Sequence, residues 1–175
     1  MTAFDDCRSI ERTSFEVLAP KFRIEWSDNG QFVVVEKGRL AKELQEKYGD
    51  VFVNKNGHLY TIEIKAERKY TGNLFLESWS NFPVNEGWMK KLNADWLFYH
   101  FLDVNTLYII NFVLLRRWAF NDARIYEFRE TQQKKYKQLN DTRGHIVPVE
   151  TLKKELGDRY FIEVNLGEYG MEVTA

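Results

Sequence analysis

An Asn-Gly pair between two alternating runs is the feature that most constrains how this chain folds. The stretch "YGDVFVNKNGHLYTIEIKAE", residues 48–67, places apolar side chains at every second position on either side of Asn56 and Gly57. Such alternation predicts half-buried strands, and Asn-Gly favours a two-residue turn with positive φ at both central positions. The sequence therefore predicts a β-hairpin whose register is fixed by its turn.

That register separates a core face from a polar face. With Asn56 and Gly57 as the turn, Asp50 lies opposite Glu63, and Lys65 follows two residues later on the same face. The other face carries the apolar side chains Val51, Val53, Tyr60, Ile62 and Ile64. Directly opposed residues have Cβ atoms about 4.5–5.5 Å apart, so two carboxylates placed there repel each other.

Three agents can offset this repulsion: a proton shared by the two acids, the ammonium of Lys65, or a bound divalent cation. The cation is the functional option, because Mg²⁺ binds one or two carboxylates and keeps positions for water and phosphate oxygens. Lys65 would then orient or help deprotonate the attacking water, or stabilise the charge that grows on phosphorus. A solvated surface face of Glu, Lys and Thr, held by a weak salt-bridge ladder, is the alternative.

Asp50 on one strand, with a Glu-x-Lys at Glu63 and Lys65 on the next, resembles the PD-(D/E)xK nuclease superfamily, which includes restriction endonucleases and Holliday-junction resolvases. The resemblance implies an α/β, restriction-endonuclease-like core, in which helices flank a central mixed sheet in the order α-β-β-β-α-β. It also implies that Asp50 and Glu63 bind the metal and that Lys65 is the catalytic lysine. Many members add an acid from the first helix, where Glu11 is a better match than Glu16.

The other patterns supply the elements that this order requires. Helical spacing predicts a first helix over residues 7–18 that Pro20 ends, and apolar runs predict strands over 33–35 and 107–112. Apolar residues at helical spacing predict the second core helix over 88–102. These elements follow the order of the family.

We expect one domain over residues 1–175, with the nuclease-like core at about 4–112 and an α+β extension at about 113–175. A short helix closed by Gly49 and a strand over 73–80, whose Glu77 is a further candidate for the site, interrupt the family order. The elements predicted for the extension are a charged helix over 122–137, a turn over 141–144, a helix after Pro148 and a strand over 159–166.

Nucleic-acid contacts must be local, because the chain has a formal net charge of only -1. Residues 116–143 are locally basic, with eight Lys or Arg against four Asp or Glu, although a charged solvated helix end explains this equally well. The candidate phosphate-binding residues are Lys69, Lys90, Lys91, Lys134, Lys135, Lys137 and Arg143. Tryptophans on apolar periodic faces are expected in the core rather than under nucleic-acid bases. They are Trp79, Trp88, Trp96 and Trp118.

Cysteine content and hydropathy predict a cytoplasmic protein without a membrane partner. The single cysteine, Cys7, leaves no disulfide framework. The first 18 residues lack the basic start and apolar core of a signal peptide. The longest apolar stretch, residues 107–118, is well short of the roughly 20 residues that cross a bilayer.

The sequence thus predicts a Mg²⁺-dependent nuclease acting on DNA, with Mn²⁺ as a substitute. Its small size favours an endonuclease that selects DNA structure rather than sequence, and the family resemblance makes a homodimer possible. One alternative is a catalytically silent module of the same fold that binds nucleic acid or a protein. Another is an interaction protein whose hairpin carries these charged side chains without forming a site. In that case Asp50, Glu63 and Lys65 would be exposed, with no cleft above them.

Overall fold

Two β-sheets with flanking helices make up the computed structural model, which describes residues 3–35, 39–132 and 140–167. The mixed α/β class with a mixed central sheet is as predicted. The strands are β1 (Phe32–Val34), β2 (Val51–Lys55), β3 (His58–Glu67), β4 (Asn73–Asn81), β5 (Asn85–Glu86), β6 (Trp96–Phe101), β7 (Thr106–Asn111), β8 (Glu130–Gln132), β9 (Arg143–Pro148) and β10 (Phe161–Asn165). The α-helices are α1 (Ala3–Lys21), α2 (Arg39–Tyr48), α3 (Trp88–Lys91), α4 (Phe112–Arg116) and α5 (Val149–Leu156). Shorter helical segments are the π-helices Phe22–Trp26 and Arg117–Asn121 and the 3₁₀-helix Arg124–Glu127.

The central sheet has the strand order β1-β2-β3-β6-β7-β10, in which only β3 and β6 run parallel. Strand β2 pairs with β3 only as far as Ile62, whereas β6 pairs with β3 from Ile62 to Glu67. Among the described strands, the carboxyl end of β3 therefore has a neighbour on one side only. This open edge is where the candidate site lies.

The second sheet is antiparallel, with the order β5-β4-β9-β8. Strand β9 joins it beside β4, while β10 joins the central sheet beside β7. Strands from beyond residue 112 thus complete both sheets, so the predicted extension is interleaved with the predicted core.

Apolar clusters lie on both faces of the central sheet. One packs under α1 and consists of Leu18, Phe22, Val51, Val53, Ile62, Ile64, Phe98, Leu107 and Leu166. The other joins the opposite face to the second sheet and to α3, α4 and α5. The predicted core face of the hairpin is confirmed, except that Tyr60 is only half-buried.

The predicted second core helix over 88–102 is wrong. Helix α3 ends at Lys91, and Trp96–Phe101 forms β6. A strand buried on both faces is apolar at every position, so periodicity alone does not distinguish it from a buried helix. The Asp95 carboxylate accepts hydrogen bonds from the Thr61 N–H and hydroxyl, which aligns the start of β6 with β3.

Three further boundaries differ from prediction. Helix α1 includes Pro20 and passes at Lys21 into the π-helical segment, so this proline, which removes one backbone donor, does not end the helix. The predicted helix over 122–137 is, within the described residues, a 3₁₀ turn followed by β8. Arg143 and Gly144, expected in a turn, begin β9 because they pair with β4.

Gly49 lets the chain pass from α2 to β2 directly against β3. Its φ is +104°, and a Cβ built on it would lie 2.6 Å from the Ile62 carbonyl oxygen. Gly57 in the hairpin turn also has positive φ, +75°, but a Cβ there would meet nothing within 4 Å. Positive φ is thus common to both glycines, whereas a steric clash with a new side chain occurs only at Gly49.

We predict that Gly49→Ala destabilises the protein much more than Gly57→Ala. A left-handed conformation costs an alanine about 1–2 kcal/mol at either position. At Gly49 the new methyl group would in addition clash with backbone that cannot move without breaking the hairpin ladder. Urea unfolding of both variants measures the difference, and equal losses would contradict the close packing of Gly49 on β3.

Candidate active site

The hairpin has the predicted turn and, for most of its length, the predicted register. Asn56 and Gly57 both have positive φ, and the ladder runs from the pair Lys55–His58 to the pair Val51–Ile62. Two-residue Asn-Gly turns fix the strands in this way. The polar face of β3 is therefore the one that carries Glu63, Lys65 and Glu67.

Asp50 is held against β3 by hydrogen bonds outside the ladder. The ladder ends at Val51, so the prediction that Asp50 pairs directly with Glu63 is wrong. The Asp50 N–H donates to the Ile62 carbonyl (2.8 Å), and one carboxylate oxygen, Oδ2, accepts from the Ile64 N–H (2.8 Å). This carboxylate occupies part of the edge that β2 leaves open.

Gln45 of α2 holds the other oxygen of the same carboxylate. Its amide Nε2 lies 2.5 Å from Asp50 Oδ1. Both Asp50 oxygens therefore have donors, which fixes the rotamer of the side chain. Sequence reasoning missed Gln45 because α2 looked like an insertion, yet its last turn leads through Gly49 straight to Asp50, and that position was the available signal.

Glu63 is a buried acid in the middle of the central sheet. It is 5% exposed; β6 pairs with β3 beside it, and the ladder of β2 ends one residue earlier, at Ile62. Burial raises the pKa of Glu63 from 4.5 to about 8; the Lys65 charge opposes this shift, and the charges of Asp50 and Glu11 add to it. Glu63 therefore takes up a proton near neutral pH unless a positive charge other than Lys65 approaches it.

Lys65 neutralises the acids around it. Its Nζ lies 2.5 Å from Glu63 Oε1 and 3.7 Å from Glu11 Oε1. Burial lowers the pKa of Lys65, but the charges of Glu63, Glu11 and Asp50 together outweigh burial and raise that pKa above its ordinary value. Lys65 thus keeps its charge and remains a hydrogen-bond donor across the physiological pH range.

Glu11 reaches Lys65 from α1, and a buried polar network holds that helix in place. Ser14, one turn after Glu11, has its Oγ 2.9 Å from His100 Nδ1, and His100 Nε2 lies 3.2 Å from Asn105 Oδ1. Burial lowers the pKa of His100, which therefore stays neutral at physiological pH. Since Ser14 and His100 are fully buried, this trio positions α1 over β3 and β6 rather than meeting a substrate.

A cleft of about 560 Å³ opens above Glu63 and Lys65. Six acids line it, namely Glu11, Glu46, Asp50, Glu63, Glu67 and Glu77, together with three lysines, Lys42, Lys65 and Lys91. A second cavity of about 560 Å³ shares Glu11, Gln45 and Asp50 with the first and includes Glu16. Glu77 thus faces the cleft of Glu63, whereas Glu16 lines only the neighbouring cavity.

The oxygen atoms of these side chains are ligands of the kind that a hard divalent cation binds. No three of the side chains are already arranged around one metal position. Asp50, Glu63 and Glu11 offer carboxylate oxygens, the ligands that Mg²⁺ and Mn²⁺ prefer. Over the described residues, no group of three or more His, Cys, Asp or Glu side chains is arranged to hold a metal. The burial of Glu63 and the cleft above it also differ from a solvated surface ladder, which leaves its side chains in water.

The predicted phosphate-binding residues fall into separate places. Lys91 lines the cleft, and Lys69 is exposed just after β3. Lys90 lies over the Trp79 ring, and Arg143 pairs with Asp141. Three others, Lys134, Lys135 and Lys137, lie outside the described residues.

The predicted burial of the tryptophans is confirmed for two of the four. Trp88 and Trp118 are buried in the cluster between the sheets. Trp96 is half-buried and packs against the cluster under α1. Trp79 is half-buried and, in the part of the chain that the structure describes, belongs to neither cluster.

No protein-family model, curated protein or solved structure matches this chain. The relation to PD-(D/E)xK nucleases therefore stays a prediction that depends on the residues of the site. Within residues 3–35, 39–132 and 140–167, no helix combines the length and hydropathy required to span a membrane.

We predict that Glu63→Gln removes a pH dependence of stability between about pH 4.5 and 8. An acid whose pKa is raised on folding stabilises the folded state while it is protonated, so this contribution is complete below 4.5 and lost as pH rises through about 8. The wild-type free energy of unfolding should fall by on the order of a few kcal/mol across this window. Glutamine has no charge to acquire there, so the variant should show a flatter curve.

Urea unfolding at a series of pH values measures both curves. Glu16→Gln, which removes an exposed acid paired with Arg12, is the matched control and should keep the wild-type slope. A wild-type curve that rises from pH 5 to 8 would contradict the pKa direction assigned to Glu63.

Proposed function

We propose that this protein is a Mg²⁺-dependent nuclease that hydrolyses phosphodiester bonds in DNA. The observation that carries the proposal is the buried Glu63, which lies beside Lys65 and within the field of Asp50 on the wall of an open cleft. A cytoplasmic location, Mn²⁺ as a substitute metal, selection of DNA structure over sequence, and a homodimer with two sites belong to the same proposal.

Stability alone is a weak explanation for these charged groups. Replacing a buried ion pair by apolar residues is often neutral or stabilising, so a fold gains little by keeping one. Strongly shifted pKa values gather at functional sites, where acids and bases are tuned by burial and neighbouring charges. Glu63 and Lys65 have such shifts and line a cleft, and this combination favours a chemical role.

The order of elements also supports the family assignment, with one strand reassigned. Helix α1 is followed by the antiparallel strands β1, β2 and β3, then by α3, and then by β6, which runs parallel to β3. In this order β6 takes the place that was predicted for residues 107–112. Helix α2 and the β4–β5 hairpin are then insertions into the α-β-β-β-α-β order.

In the proposed mechanism Asp50 and Glu63 would hold the metal, with Glu11 as an additional ligand. Mg²⁺ held there would supply positive charge to the phosphate and make water more acidic. Gln45 and the Ile64 N–H keep Asp50 in one rotamer. Glu63 must be deprotonated to act as a ligand, so activity should increase as the pH rises toward 8.

Lys65 is the group that acts directly on the reacting phosphate. It keeps its proton at neutral pH and is close enough to Glu63 to meet a phosphate bound beside that acid. An ammonium in this position stabilises the additional negative charge of the transition state. Because its proton is held tightly, Lys65 orients the attacking water as a donor rather than removing a proton from it.

We predict that Asp50→Asn, Glu63→Gln and Lys65→Ala each reduce Mg²⁺-dependent DNA cleavage by roughly 10²-fold or more, as is typical when a charged catalytic group is lost. The assay is incubation with supercoiled, linear and branched DNA in Mg²⁺, in Mn²⁺ or with chelator. Asp158→Asn, which changes an exposed acid in the turn before β10, is the control and should cleave normally. Full cleavage by the Asp50 or Lys65 variant would overturn the proposed function.

The catalytically silent module is the second candidate function, and one observation favours it. Lys65 already compensates Glu63 at 2.5 Å, and the described residues contain no ready three-ligand group, so this acid has a counter-charge without a metal. A module of this kind would bind nucleic acid or a protein without turnover.

We predict that DNA binding distinguishes the two functions through its dependence on divalent cations. The cleft has twice as many acids as lysines, so it repels phosphates until a cation is bound. Fluorescence anisotropy with the Lys65→Ala variant, which prevents cleavage, should show DNA binding in Mg²⁺ that is lost with chelator. Binding of equal strength with and without chelator would support the silent module.

A further inference from the structure

The β4–β5 hairpin exposes an apolar tip next to the candidate active site. All residues from Phe82 to Glu86 are exposed; Phe82 is 37% and Val84 75% exposed. An apolar side chain at a hairpin tip contributes nothing to the core. Its exposure points to a role in contact with another molecule.

Two aromatic rings and two cations form a continuous surface at the base of this tip. The rings of Trp79 and Phe82 meet edge to face, with their centroids 5.4 Å apart. Lys90 Nζ lies 3.7 Å from the centre of the Trp79 ring, and the Arg143 guanidinium carbon lies 3.8 Å from that of Phe82. We call these four side chains the aromatic–cation surface.

Neighbouring contacts fix the geometry of this surface. Asp141 accepts hydrogen bonds from Nε and Nη2 of Arg143, which keeps the guanidinium over the Phe82 ring. The Phe82 N–H in turn donates to the Asp141 carbonyl. Lys90 has no acidic partner among the described residues, so its ammonium is available to a phosphate.

Helix α3 connects this surface to the cleft. Lys90 covers Trp79, whereas the next residue, Lys91, and Trp88 line the cleft above Glu63 and Lys65. A strand that crosses α3 would therefore meet Lys90 outside the cleft and Lys91 at its rim. The two lysines add positive charge beside a cleft in which acids outnumber lysines.

We infer that the aromatic–cation surface binds an unpaired nucleic-acid strand and leads it over α3 into the cleft; this inference rests on the proposed function and specifies its substrate as DNA with a single-stranded segment. Only unpaired bases present a free face to an aromatic ring, whereas the bases of a duplex are stacked on one another. Rings that alternate with cations match a strand that alternates bases with phosphates. A protein partner would match Lys90 poorly, because lysine is depleted in the cores of protein–protein interfaces.

Binding measurements with a fluorescent single strand, a blunt duplex and a duplex with a single-stranded tail test this inference. The Lys65→Ala background in Mg²⁺ prevents cleavage during the measurement. Phe82→Ala and Lys90→Ala should each weaken binding of the single strand and of the tailed duplex about tenfold, as expected when one stacking or phosphate contact is lost. The blunt duplex should bind weakly to every variant.

Two matched controls keep the result specific. Tyr126→Ala removes another exposed aromatic ring, and Lys154→Ala removes an exposed lysine on α5; neither should change binding. Thermal unfolding should give closely similar melting temperatures for all four variants, because each side chain is at least partly exposed.

The outcomes separate this inference from the proposed function. Binding that depends on Phe82 and Lys90, in a wild-type protein that cuts no DNA, supports the inference and removes the nuclease proposal. Cleavage of tailed DNA that is unchanged by Phe82→Ala, with unchanged single-strand binding, leaves the nuclease and overturns the inference. Failure of all three DNA probes to bind also overturns it.

Discussion

The contact between the Glu63 carboxyl group and the Lys65 ammonium is the interaction around which this structure is organised. Both groups lose most of their hydration on the central strand, and leaving a buried charge without its partner typically costs about 3–5 kcal/mol. The neighbouring elements compensate: α1 brings Glu11 to Lys65, and α2 holds Asp50 through Gln45. The arrangement exists because β3 extends beyond β2 and leaves an edge where side chains replace a strand.

The position of this edge connects the fold to the proposed chemistry. Parallel strands bring their carboxyl ends to the same side of a sheet, which is where α/β proteins commonly form their binding crevices. Strands β3 and β6 are the parallel pair, and the cleft residues Lys65, Glu67 and Tyr99 lie toward the carboxyl ends of these strands. The cleft therefore results from the lengths and directions of the strands, and the charged residues line it.

The hairpin was predictable because its own turn residues determine it. Features that depend on distant partners were not predictable. Asn56 and Gly57 determine a register by themselves, and alternation then gives the core face, so the relation of Glu63 to Lys65 followed from the sequence. The prediction of a helix over 88–102 was wrong because β6 is apolar at nearly every position. A strand buried on both faces in this way shows no alternation of apolar and polar residues. Ser14 and His100 lie 86 residues apart in the chain, so no local pattern could indicate their contact. Gln45 belongs to no motif, and only its place in the last turn before Gly49 and Asp50 indicated it.

The pairing of β4 with β9 has a consequence for the order in which the protein is made. Phe75 and Glu77 on β4 form one wall of the cleft, and β9 lies about seventy residues later in the chain. During translation the hairpin with Glu63 and Lys65 leaves the ribosome well before the strand that supports this wall. A nascent chain consequently holds its charged groups in an unfinished cleft until synthesis has passed Pro148.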